Sequence, residues 1–172
     1  MLFPLHQALI MNRMLPVVQT LKTLVRGGSL GTILRVKAHC LLNLKTNPKT
    51  PFSWWFDQDA GGGALGGVGV HLYDLVSFIT GAVARTVSCV GSNVCKRRPL
   101  AAPTAAAGAG GDRGAGAGAG AGKARGGSAP VTADELFSAQ LLLQREITVL
   151  LEGSFVHPFP GQRLVGCLVR CS

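Results

Sequence analysis

Hydrophobic periodicity predicts an α+β domain. Apolar residues recur at three- and four-residue steps in two segments, 5–25 and 64–81, as they do along one face of a helix. Alternating or β-branched patterns predict four strands, the last two as an antiparallel pair: 32–44, 82–96, 135–144 and 146–157. The chain of 172 residues, 47% of them hydrophobic, is sufficient for one domain with a buried core.

Proline and glycine set the expected limits of the helices. Pro16 is expected to kink the first helix or to begin its second half. Gly27 and Gly28 favour the end of that helix, and Gly31 permits a tight turn before the first strand. The second helix is expected to end at Gly81.

The segment 45–59 contains prolines and two adjacent tryptophans, and it is expected to be an irregular loop. Trp54 and Trp55 are interpreted as anchors that pack this loop onto the body of the domain, because each offers a large apolar area. The alternative is that they line a pocket.

A change in composition predicts a disordered insertion at 99–130. This segment consists mainly of Ala, Gly, Pro and Ser, includes the run GAGAGAGAG, and buries too little apolar surface to offset the entropy of ordering. Charged residues interrupt the alternation and disfavour silk-like stacking. The expected organisation is a lead-in helix and turn, the first part of a sheet domain, the insertion, and the remaining, truncated strands: 1–31, 32–98, 99–130 and 131–172.

The net charge of +9 raises the question of a polyanionic partner. Only Lys96–Arg98 forms a tight basic run, and the aromatic residues lie elsewhere, so no nucleic-acid surface is expected. The apolar N-terminal stretch is interrupted at Asn12, Arg13 and Pro16 and falls short of the roughly 20 residues that span a bilayer. No membrane partner is expected, and a cytoplasmic location is the default.

The five cysteines are odd in number and irregularly spaced, without a CxxC motif. They are expected to be reduced thiols, because neither a disulfide framework nor a four-ligand zinc site fits this spacing. No metal is expected.

Six glycines precede His71, the one histidine of the second predicted helix. Glycines at a helix start either admit a ligand to exposed backbone amides or permit close packing, and the sequence leaves both open. A lone histidine on an apolar helix is more often a core residue, but His71 is also the candidate general acid or base. Asp74, three residues later on about the same face, is interpreted as a structural partner.

The stretch GGGALGGVGVHLYDLVSFITG resembles the motif GGGxLxDxGxHxxDxxxxLxG, which begins the central helix of the C-terminal domain in Gfo/Idh/MocA oxidoreductases. NRMLPVVQTLKTLVRGGSLGTILRVKAH resembles the family's preceding helix, turn and first strand, and TADELFSAQLLLQREITVLLEGSF resembles its later strand pair. MLPVVQTLKTLVRGGSLG and TADELFSAQLLL are similar to the glucose-fructose oxidoreductase domain-containing branch. The resemblance extends over most of the chain outside the Ala/Gly insertion and the last dozen residues.

The resemblance implies an open, mainly antiparallel sheet with helices on one face, which builds a substrate pocket for a sugar or polyol and often a homo-oligomer interface. It implies a catalytic histidine at His71 and a structural role for Asp74, while Gly67 stands where the family commonly has Asp. Family members bind NAD or NADP through an N-terminal Rossmann domain. The family's nucleotide loop and catalytic lysine would precede Leu5, so this chain alone is expected to bind no cofactor and to be inactive.

Two functions follow from the resemblance. In the first, the chain is a fragment of an NAD(P)-dependent oxidoreductase that supplies the substrate-pocket and oligomerisation domain. In the second, it is a non-catalytic dimerisation or protein-interaction module, which the glycine at position 67 favours.

Overall fold

The structure, a computed structural model, describes residues 11–101 and 127–158 together with the backbone of 163–164. Its strands are β1 (Arg35–Leu41), β2 (Ala84–Ser92), β3 (Arg97–Pro99), β4 (Ser128–Pro130), β5 (Leu136–Leu143), β6 (Thr148–Ser154) and β7 (Arg163–Leu164). Its α-helices are α1 (Pro16–Arg26) and α2 (Val70–Thr80). Short helical turns occupy Met11–Met14, Trp54–Phe56, Leu65–Gly69 and Gln144–Glu146.

Five strands form one open sheet in the order β2-β5-β6-β1-β7. Strand β5 runs antiparallel to both β2 and β6, and β7 runs antiparallel to β1. Only the contact between β1 and β6 is parallel, with Arg35 opposite Thr148 and Leu41 opposite Ser154. The prediction of an α+β fold with an open, mainly antiparallel sheet is therefore confirmed.

The helices cover one face of this sheet. Alternate residues of β1, Val36 and Ala38 among them, point into the core. They meet Leu72 and Val76 of α2, because helical spacing places these two residues on the same side of the helix. The side chains between them, such as Lys37, are directed to the opposite face, which no helix of the described residues covers.

Proline begins α1, and a glycine follows the last residue of each helix. Pro16 is the first residue of α1, a position at which its missing N–H costs nothing, so it begins this helix rather than kinking it. The N–H of Gly27 donates to the carbonyl of Thr23 (2.8 Å) at the end of α1. Gly81 ends α2 in the left-handed region, with φ of 66°. The part of the first predicted helix at 5–10 lies outside the described residues.

The structure differs from the sequence expectation at the edges of the predicted insertion. Pro99 and Ser128–Pro130 are not irregular, because β3 and β4 pair as a two-stranded antiparallel ribbon. The Arg97 side chain reaches across this ribbon, and its Nε donates to Ser128 Oγ at 2.9 Å. Composition alone does not reveal such pairing. Residues 102–126 lie outside the described part of the chain.

A buried ion pair attaches this ribbon to the sheet. Arg98 is 0% exposed and Glu135 is 2% exposed, and Arg98 Nη2 donates to Glu135 Oε1 at 2.6 Å. The guanidinium also donates to the carbonyls of Lys45 (2.7 Å) and Asn47 (2.8 Å) and lies 4.1 Å from the centre of the Phe56 ring. Together these contacts join β3, the loop after β1 and the start of β5.

We expect Arg98→Met to lower the free energy of unfolding by about 3–5 kcal/mol, because it leaves the Glu135 carboxylate buried without its cation. Urea denaturation of the two proteins measures this difference. The matched control is Arg85→Met, which removes an ion pair to Glu146 whose side chains are 58% and 72% exposed, and which should change the free energy by less than about 1 kcal/mol. A loss no larger than that of the control would contradict the role given to the buried pair.

Candidate functional site

The carboxylate of Asp134 caps the glycine-rich start of the second helical segment. The N–H of Leu65 donates to Asp134 Oδ2 at 2.7 Å, and the N–H of Ala64 donates to the Asp134 carbonyl at 2.8 Å. A Cβ at Gly63 would collide with the Asp134 side chain. The sequence left open whether these backbone amides bind a ligand or whether the glycines permit close packing. The amides of Ala64 and Leu65 bind Asp134 instead, so the geometry favours close packing.

Other glycines of this segment make room for aromatic rings. A Cβ at Gly69 would lie 3.1 Å from the Phe137 ring, and Gly153 of β6 leaves space for the same ring from the other side. Gly67 faces Trp55 and Phe155. The helical turn Leu65–Gly69 thus approaches the sheet more closely than side-chain-bearing residues would allow.

His71 is the second residue of α2 and is half-buried. Gly67 lies in the π-helical turn that precedes α2, and Asp74 follows His71 by three residues, so His71 and Asp74 share a face of α2. Because it is half-buried, the His71 side chain is neither sealed in the core nor fully exposed to solvent.

Asp74 does not turn to His71 but binds Arg13. The Nε of Arg13 donates to Asp74 Oδ2 at 2.8 Å, and its Nη2 donates to Oδ1. The hydrogen bond to Asp74 is the largest cause of a raised pKa for Arg13. This bidentate pair fixes the turn Met11–Met14 to α2, which agrees with the structural role that the resemblance implied for Asp74.

The side chains of Lys22 and Arg13 both lie near the ring of Phe78, which follows Asp74 by one turn of α2. Lys22 Nζ lies 3.5 Å and the Arg13 guanidinium carbon 5.1 Å from the centre of the Phe78 ring. The pKa of Lys22 is lowered, first by burial and then by the positive charges of Arg26 and Arg13. One end of the α1–α2 contact is therefore strongly basic, one turn beyond Asp74.

Three aromatic rings pack together next to the turn that contains Gly67. The rings of Trp54 and Trp55 stack with centroids 4.5 Å apart, and the Phe155 ring meets Trp55 edge-on at 5.1 Å. Trp55 and Phe155 both contact the core, as expected for loop anchors, whereas Trp54 is 39% exposed. Sequence reasoning identified the tryptophans but did not single out Phe155, which lies within the predicted strand 146–157, or Asp134, which directly precedes the predicted strand 135–144.

Two apolar hollows flank the helices, and His71 lines neither of them. One, of about 250 Å³, lies between α1, α2 and β1 and is lined by residues such as Val18, Ala38 and Ile79. The other, of about 470 Å³, lies between α2 and the exposed edge of the sheet, beside Tyr73 and Val87. Their linings are almost entirely apolar, so neither offers the polar groups that would orient a sugar or polyol.

The described cysteines behave as isolated thiols. Cys40, Cys89 and Cys95 are free, and burial raises the pKa of Cys40 and of Cys89, which keeps both thiols protonated near neutral pH. Within residues 11–101 and 127–158, no group of three His, Cys, Asp or Glu side chains is arranged to hold a metal ion.

Comparison with known proteins decides the family. A family model described as the GFO/IDH/MocA C-terminal domain matches residues 18–165, which is most of the chain. The chain belongs to the GFO/IDH/MocA family. The resemblance noted in the sequence is confirmed, and His71 lies within the matched segment.

Relatives of this GFO/IDH/MocA domain include oxidoreductases of known structure. Levoglucosan dehydrogenase of Pseudarthrobacter phenanthrenivorans is 31% identical over 96 residues, which are 55% of this chain and 24% of that protein. An oxidoreductase domain protein of Kribbella flavida has a TM-score of 0.70 and 28% identity, over 89% of this chain and 36% of that one. A levoglucosan dehydrogenase structure without ligands has a TM-score of 0.69 and 25% identity, over 88% and 35%.

The chain thus spans about a quarter to a third of the length of these relatives. Levoglucosan dehydrogenase has also been solved in complex with NADH and levoglucosan, and that structure shares the fold of this domain at 20% identity. Among the residues that the structure describes, no helix is both long enough and apolar enough to cross a bilayer.

Proposed function

We propose that this chain supplies the substrate-pocket and oligomerisation domain of an NAD(P)-dependent oxidoreductase that acts on a sugar or polyol. The observation that carries the proposal is the position of His71 within the matched GFO/IDH/MocA domain: it is half-buried, on the first turn of α2. A half-buried histidine keeps part of its side chain accessible for proton exchange with a bound molecule.

The role we assign to His71 is proton transfer. When an alcohol is oxidised by a nicotinamide cofactor, the cofactor accepts a hydride and the hydroxyl proton must pass to a base. An imidazole exchanges protons near neutral pH, and the surrounding helix holds it in one place. Arg13 binds both oxygens of Asp74, so we assign to Asp74 the part of holding α2 and the turn before α1 together.

The glycine-rich helix start does not favour the phosphates of a dinucleotide. The helix start opened by Gly61–Gly63 is capped by Asp134, whose negative charge would repel a pyrophosphate. We therefore assign to this chain only the binding of substrate, and we assign the binding of the cofactor to a different domain.

The alternative is a non-catalytic dimerisation module, and the uncovered face of the sheet favours it. Leu142, Leu150 and Leu41 are only partly buried there, beside the ion pair of Lys37 with Glu152 (3.0 Å). A second copy laid against this face would bury its leucines, and a two-fold axis would bring the same residues of both copies together.

Calorimetric titration of the purified chain with NADH and NADPH is expected to give no saturable heat, because the helix start that could hold phosphate is already capped. Saturable binding of either dinucleotide would contradict the division of roles between this chain and a separate nucleotide-binding domain.

Proton transfer is tested in a fusion of this chain to the nucleotide-binding domain of levoglucosan dehydrogenase, assayed by NADH formation with levoglucosan. We expect His71→Asn to lower kcat by about 10²- to 10⁴-fold, because the amide does not accept the proton. His39→Asn is the matched control, since His39 lies on β1, on the face of the sheet opposite to α2; light scattering of this variant verifies that assembly through that face is unchanged. Equal rates for His71→Asn and the unaltered fusion would exclude the role, and an inactive fusion would favour the dimerisation module.

Light scattering measures the oligomeric state. The unaltered chain is expected to have the mass of a dimer, and Leu150→Glu is expected to yield a monomer, because it places a charge in the proposed interface. Val87→Glu adds the same charge to the helix-covered side of edge strand β2, opposite Leu141, and should leave the dimer intact. A monomeric unaltered chain, or equal masses for the two variants, would refute assembly through this face.

A further inference from the structure

The hollow between α1, α2 and β1 is enclosed on most sides. Val18 of α1, Val36 and Ala38 of β1 and Ile79 of α2 line it, and each of these side chains is at most 7% exposed. Val17, near the start of α1, also lines the hollow and is 71% exposed, so the opening to solvent lies at this end of the helix. The hollow is therefore a cavity with a mouth rather than a groove on the surface.

The walls of this cavity are uncharged. None of the described residues that line it carries a charge, and only Asn12 and Thr80 among them have polar side chains. The Thr80 hydroxyl donates to the Val76 carbonyl at 2.8 Å and accepts from the N–H of Ala82 at 3.3 Å. The carboxamide of Asn12, by contrast, has no hydrogen-bond partner in the part of the chain that the structure describes. The cavity thus offers one uncommitted polar group beside apolar walls.

The position of this polar group is fixed. Asn12 belongs to the turn Met11–Met14, and the neighbouring Arg13 binds Asp74 of α2 through two nitrogens. The backbone carbonyl of Asn12 also accepts from the N–H of Leu15 at 3.3 Å. The carboxamide is therefore carried by a backbone that is attached to both helices bordering the cavity.

We propose that this cavity binds a small uncharged molecule with an apolar body and one hydroxyl or carbonyl oxygen, which hydrogen-bonds to Asn12. A cavity of about 150 Å³ with aliphatic and aromatic walls stays free of water and binds benzene. The cavity between α1, α2 and β1, of about 250 Å³, has room for such a ring with a short substituent. A charged ligand would lose its hydration against these walls without gaining a counter-charge.

Benzyl alcohol is the probe, titrated into the 172-residue chain with methyl groups labelled for nuclear magnetic resonance. We expect saturable shifts of the Val36 and Ile79 methyl resonances, with Leu150, on the opposite face of the sheet, as the reference. Benzoate should cause none, because its carboxylate is charged. Asn12→Ala should weaken the binding of benzyl alcohol about three- to tenfold, the size of one hydrogen bond, and leave the binding of toluene unchanged.

Filling the cavity from its wall tests where the probe binds. Ala38 is 2% exposed, and Ala38→Leu should weaken the binding of both benzyl alcohol and toluene at least tenfold, because the larger side chain takes up the space. Ala139→Leu is the matched control, since Ala139 is 3% exposed and lines the other hollow; it should leave both affinities within about twofold. Equal affinities for Ala38→Leu and the unaltered chain would overturn the proposal.

Two further results would also overturn it. One is the absence of any saturable shift at Val36 and Ile79. The other is a nuclear Overhauser effect from these methyl groups to residues 1–10, or to a second copy in an isotope-mixed sample, because protein would then fill the cavity. His71 does not line this cavity, so the outcome is independent of whether the fusion protein has dehydrogenase activity.

Discussion

The buried pair of Arg98 and Glu135 is the interaction on which the arrangement of this domain depends. Glu135 Oε2 also accepts from the N–H groups of Val94 and Cys95, both at 2.8 Å. The Glu135 carboxylate therefore connects the start of β5 to the segment after β2 and to the ribbon strand β3. The residue before it, Asp134, caps the helical turn that leads to His71. Two consecutive acidic residues thus connect the position of the ribbon to the position of the proposed proton-transfer residue.

Burying this pair does not by itself account for stability. Removing two charges from water costs several kcal/mol per ion, and their attraction regains this only when further hydrogen bonds complete both groups. Here the guanidinium donates to two carbonyls and the carboxylate accepts from two amides, while Arg98 Nε is buried without a partner among the described residues. Such a network fixes one arrangement of the loop and ribbon, because any alternative packing would leave a buried charge without partners.

Sequence reasoning predicts those parts of the structure that have a local period. The helices, the paired strands β5 and β6, and the glycine that ends α2 follow from spacing over a few residues. Arg98 was noted only as part of a basic run. It is fully buried against Glu135, a partner that lies 37 residues further along the chain. The fit of glycines to the rings of Phe137 and Phe155 is equally non-local, since each ring and its glycine belong to different elements. Tertiary pairing of this kind has no signature in a window of sequence.

The ribbon also brings together the two ends of the chain that border residues 102–126. Pro99 lies opposite Ser128, so the ends of the chain that enter and leave residues 102–126 are neighbours, and they are held together by contacts that do not involve that segment. Arg98 of β3 is itself bound to Glu135 at the start of β5. The pairing of β3 with β4 and this ion pair therefore attach both ends to the sheet from within the described residues.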